Sequence, residues 1–90
     1  MNIYAVIQLM REHNSNEIEK NLRDIDGNVC LTYSNLGIYF VRYTGTAKQI
    51  SERVGFSRDH GKELGMVISV DRGKMFGFAS KELWSWMSSS

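Results

Sequence analysis

Two stretches decide how this chain reads: Ile3-Tyr4-Ala5-Val6-Ile7-Gln8-Leu9 and Gly37-Ile38-Tyr39-Phe40-Val41-Arg42-Tyr43. Both are β-branched, aromatic and apolar at nearly every position, the composition of strands covered on both faces. Side chains of a strand alternate in direction. Ile3, Ala5, Ile7, Ile38 and Phe40 therefore belong to one face of a sheet, and Tyr4, Val6, Tyr39, Val41 and Tyr43 to the other. Each set is hydrophobic by itself.

Outward from these strands, Asn14 with Glu17 three residues on has the form of a capping box. Ile18, Leu22 and Ile25 then make one apolar stripe on a helix of about three turns, which Asp26-Gly27-Asn28 stops. Val29–Tyr33 reads as a second strand, followed by the turn-prone Ser34-Asn35-Leu36 and the strand Gly37–Tyr43. Thr46 and Gln49 form a second cap, ahead of a helix whose inward stripe is Ala47, Ile50 and Val54. Phe56–Gly65 is a polar surface loop and Met66–Val70 a fourth strand. Asp71-Arg72-Gly73 is a hairpin turn, Lys74–Phe78 a fifth strand, and Ser80 the cap of a last helix, Lys81–Met87. The order β-α-β-β-α-β with right-handed crossovers gives an α+β fold, the ferredoxin-like βαββαβ plait, extended by a short C-terminal strand and helix. Its first and third strands are expected at the centre and its second and fourth at the edges. Residues 1–87 make a single domain, and Ser88–Ser90 a frayed tail.

Composition bounds the function. Ninety residues, 42% hydrophobic and 23% charged, make one small globular unit rather than a disordered tail. Eleven basic and ten acidic residues leave a net charge of +1. That balance excludes a strongly basic nucleic-acid glue and an acidic DNA mimic. Cys30 is the only cysteine, so one chain can form neither an internal disulfide nor a cysteine-based zinc site. The apolar run Ile3–Met10 is far shorter than the roughly 20 residues that span a bilayer, and no leader pattern precedes it. A reducing, cytoplasmic setting without membrane contact is the expectation.

In a plait both helices cover one sheet face and leave the other to find a cover: the C-terminal segment, a second copy, or nucleic-acid bases stacked on tyrosines. Sheet-to-sheet homodimerisation is the preferred solution. Its interface is expected at Tyr4, Val6, Tyr39, Val41, Tyr43, Phe76, Phe78 and Trp84, with Leu83, Trp86 and Met87 covering part of the surface or crossing to the partner.

The layout and the ending resemble the CRISPR-associated adaptation subunits and the small SinR-family proteins akin to them. The ending carries the similarity: Met66–Val70, then Met75-Phe76-Gly77-Phe78, two residues, and Lys81-Glu82-Leu83-Trp84-Ser85-Trp86-Met87. The resemblance implies a plait-fold homodimer. Some members of that group cleave RNA or DNA with a metal held by an aspartate at the end of the first strand. This chain has Gln8, Leu9 and Met10 there, with Glu12 the nearest acid. The hard oxygen ligand that magnesium requires is missing from that place, so no catalytic residue, metal ligand or cofactor is assigned. RNA-cleaving antitoxins of related fold are a comparison by fold alone. A second comparison is the RNA-recognition motif. Leu36–Tyr43 keeps its glycine and the Phe40, Val41 and Tyr43 ending, and lacks its leading basic residue, first aromatic and small residue.

Other polar groups read more plainly as structure or solvated surface. Asp59, His60 and Glu63 could serve acid–base or metal chemistry, but three groups in a loop lack the spacing a rigid element would give them. His13 beside Glu12 reads as loop. Asp24 and Asp26, with Glu17 and Glu19, point different ways on a helix end. Cys30, among apolar neighbours, reads as a buried spectator. Gly73 and Gly77 are isolated, without a phosphate-binding loop. Residues 46–90 carry seven basic and five acidic groups, against four and five in residues 1–45. Arg42, Lys48, Arg53, Arg58, Lys62, Arg72 and Lys74 are the candidate nucleic-acid contacts, because doubled in a dimer they could hold phosphates.

The expected function is a small non-enzymatic regulatory or defence-associated protein that binds RNA, DNA or a protein complex. The alternatives are a metal-dependent endoribonuclease of the same fold, and a protein-directed inhibitor or antitoxin. The last would pair a partner strand with the sheet edge at Val29–Tyr33 or Met66–Val70.

Overall fold

The structure is a computed structural model, described over residues 1–9, 15–56, 65–71 and 81–88. Along the chain run β1 (Asn2–Gln8), α1 (Ser15–Ile25), a single 3-10 turn (Ser34–Leu36), β2 (Ile38–Tyr43), α2 (Ala47–Val54), β3 (Gly65–Val70) and α3 (Lys81–Ser88). The fold class is α+β. The described strands form one antiparallel sheet in the order β2-β1-β3, with β1 in the middle. Ile3 faces Arg42 on one side and Val70 on the other, Ala5 faces Phe40 and Ile68, and Ile7 faces Ile38 and Met66.

The stripe Ile18, Leu22 and Ile25 faces inward on α1, with Ile18 and Leu22 buried. On α2 the capping box is complete. The Gln49 backbone N–H donates to Thr46 Oγ1 at 3.2 Å, and the Thr46 N–H donates to Gln49 Oε1 at 2.9 Å. Gly55 ends the helix at φ 88°, in the left-handed region that glycine enters without steric cost. Gly65, at the start of β3, sits where a Cβ would stand 2.6 Å from the Ile7 carbonyl oxygen and as close to the Phe56 ring. Only glycine lets β3 come this near β1 at that end.

The expected second strand is the main correction. Val29–Tyr33 contributes one antiparallel bridge, Cys30 to Phe40, with N···O distances of 2.8 and 3.3 Å. Local turns consume the rest. Upstream, Asp26 Oδ1 accepts the Asn28 N–H at 2.9 Å and its carbonyl accepts the Val29 N–H at 3.1 Å. Downstream, the Ser34 N–H donates to the Leu31 carbonyl and the Leu36 N–H to that of Tyr33, both at 3.0 Å, winding the chain into the 3-10 turn that Gly37 closes at φ 77°. The alternation still holds, since Val29 and Leu31 pack on one core and Cys30 on the other.

Those cores lie on opposite faces of the sheet and share no residue. Under α1 and α2 lie Tyr4, Val6, Ile18, Leu22, Tyr39, Val41, Ile50 and Val54, flanked by half-buried Tyr43, Phe56 and Val67. Under α3 lie Ile3, Cys30, Leu83 and Met87, flanked by Tyr33, Phe40, Val70 and Trp86. The set expected to form a dimer interface is thus largely the main core. Tyr4, Val6, Tyr39 and Val41 are buried within one chain because α1 and α2 close over them, and the Tyr4 hydroxyl donates to the Gly45 carbonyl at 2.6 Å. Ser88 is the last residue of α3, and residues 89–90 lie outside the described residues. The fifth strand Lys74–Phe78, the Asp71–Gly73 turn beyond Asp71, the Asn14 and Ser80 caps and most of the Phe56–Gly65 loop fall outside the described residues. No helix among those residues is long and apolar enough to cross a membrane.

Candidate functional site

Among the described residues, the sheet face opposite α1 and α2 is only partly covered. Eight residues of α3 lie across its Ile3 end, seating Leu83 and Met87 against Ile3 and Cys30. Toward the other end, among the described residues, the apolar side chains continue beyond the reach of α3. Met66 is 46% and Ile68 45% exposed, with Ile7 and Ile38 half-buried beside them and Leu9 and Leu36 exposed nearby in the chain. Exposed apolar side chains gathered on one sheet face are the usual mark of an interaction surface.

Polar contacts fix α3 in place, and most converge on its last turn. The Arg42 side chain projects from β2 on the Ile3 side, is 8% exposed, and lies over the Trp86 ring with its guanidinium carbon 4.0 Å from the centroid. The same guanidinium donates to the Trp86 carbonyl. That carbonyl belongs to the last turn of a helix, where carbonyls lack intrahelical partners and the dipole is negative, so a cation satisfies both needs. The Trp86 indole Nε1–H donates to the Asn28 carbonyl at 2.6 Å. Nearer the helix start, Thr32 Oγ1 donates to Glu82 Oε2 at 3.4 Å and lies 3.4 Å from the Cys30 sulfur. Asp26 completes the arrangement. One carboxylate oxygen holds the Asn28 N–H, and the other accepts the Arg42 backbone N–H at 3.0 Å. Its two oxygens are thus committed to backbone donors, which leaves Asp26 a structural carboxylate.

The candidate basic residues separate. Arg42 is enclosed by α3 and serves the fold, so it is not an open phosphate contact. Lys48 and Arg53 are exposed on α2. Arg58, Lys62, Arg72 and Lys74 lie outside the described residues, as do Phe76 and Phe78. Tyr43 is half-buried at the margin of the main core, and Trp84 stands 36% exposed on α3. Cys30 is buried as read from the sequence. Glu12, His13, Asp59, His60 and Glu63 also fall outside the described residues, among which no three His, Cys, Asp or Glu are placed to hold a metal ion.

What the sequence did not announce is the pairing of Arg42 with Trp86, 44 positions apart. The signal was there in pieces: a lone basic residue inside an apolar strand, and a tryptophan near the end of a short apolar helix. Neither piece names the other. Comparison of the chain with protein-family models, with curated proteins and with solved structures finds no match in any of the three.

Proposed function

We propose that this chain is a small homodimeric binding or regulatory protein that catalyses no reaction, works in the cytoplasm and targets nucleic acid or a protein complex. The proposal includes its architecture: a ferredoxin-like plait whose second strand has shrunk to the Cys30–Phe40 bridge. The order β2-β1-β3, all antiparallel, supports that reading, because a plait arranges its third, first and fourth strands in this way. Kinship with the CRISPR-associated adaptation subunits belongs to the same proposal and rests on the residue pattern of 66–87.

One observation carries the binding function: the apolar surface at Met66, Ile68, Ile7 and Ile38 that α3 stops short of. The contact between copies moves there, since Tyr4, Val6, Tyr39 and Val41 are occupied inside each chain. Lys48 and Arg53 supply exposed positive charge on the opposite side of the sheet, where α2 packs. Sedimentation at high micromolar concentration should give twice the monomer mass, and Ile68→Glu should return the protein to monomer with its circular dichroism unchanged. A wild-type monomer overturns the dimer. A salt-sensitive RNA mobility shift, weakened by Lys48→Gln with Arg53→Gln, supports a nucleic-acid target. Magnesium-dependent decay of single-stranded RNA, stopped by chelator, would replace the binding role with the endoribonuclease reading.

A second reading, a protein-directed inhibitor or antitoxin, is favoured by the make-up of β3. Among the described strands β3 lies at a sheet edge, and Gly65–Val70 holds no charged residue and no proline, the usual guards of such an edge, so it suits an added partner strand.

A further inference from the structure

We draw no further inference here: the strongest candidate, the apolar surface patch of Met66, Ile68, Ile7 and Ile38 on the part of the sheet face beyond the reach of α3, belongs to the contact between copies already proposed, and nothing in the structure shows what covers it.

Discussion

At the scale of single residues, Arg42 shows how one side chain can answer several demands. Its backbone N–H ends on the Asp26 carboxylate, its guanidinium meets the carbonyl end of α3, and its flat face rests on Trp86. A cation so enclosed costs desolvation, which the charge-assisted hydrogen bond and the aromatic contact offset. Arg42→Met keeps the aliphatic packing and removes both interactions. It should lower stability by about 1–3 kcal/mol, read from urea unfolding, with Arg42→Lys recovering part of the loss. A change below about 0.5 kcal/mol, the size of a neutral surface substitution, would show the contact to be idle. Read in isolation, this residue looked like one more phosphate ligand among seven. Charge is legible in a sequence and its partner is not, because Trp86 comes near only after the chain has crossed the sheet and returned.

Between single residues and the whole fold stand the elements, and here the lesson is uneven. Both helices of the main layer were legible, since Ile18, Leu22, Ile50 and Val54 repeat at helical spacing and Thr46 with Gln49 signs the start of α2. The strands β1, β2 and β3 were legible as β-branched and apolar runs bounded by turn residues. Val29–Tyr33 is such a run as well and still fails as a strand. What distinguishes it is hydrogen bonding. The outward N–H groups of β2 all find acceptors in residues 26–33 without a regular ladder: Ile38 at the Tyr33 carbonyl, Phe40 at the Cys30 carbonyl, Arg42 at the Asp26 side chain. An aspartate thus stands where a neighbouring strand would have offered a carbonyl. Asp26→Ala should leave the Arg42 N–H without that acceptor and cost about 1–3 kcal/mol. Asp26→Asn, which can still present one oxygen, should cost less than half as much. Equal losses in the two variants, measured by thermal or urea unfolding, would mean that the carboxylate acts by charge alone.

For the molecule as a whole, the decisive fact is that the sheet formed by the three described strands carries two unequal cores. The sequence announced that both faces were apolar, and left open which would be covered and by what. Among the described residues, two helices bring Ile18, Leu22, Ile50 and Val54 to the Tyr4 face, while α3 brings Leu83, Met87 and half-buried Trp86 to the Ile3 face. Matched truncations on the two sides should therefore behave differently. Leu22 is fully enclosed in the larger core, and Leu22→Ala should cost about 2–5 kcal/mol. A 90-residue domain has a total stability of only about 5–13 kcal/mol at the usual yield per residue, so this variant should lose native circular dichroism at moderate temperature. Leu83→Ala removes the same atoms from the smaller core, and the expected outcome is that α3 detaches instead of holding a cavity. Its cost is capped at the free energy of α3 docking, and its far-ultraviolet spectrum should lose little more than the signal of one short helix. The near-ultraviolet signal of Trp84 and Trp86 should fade, and binding of a hydrophobic dye should rise as Ile3, Phe40 and Val70 join Met66 and Ile68 in solvent. If Leu83→Ala unfolds the chain as completely as Leu22→Ala, the two cores form a single cooperative body.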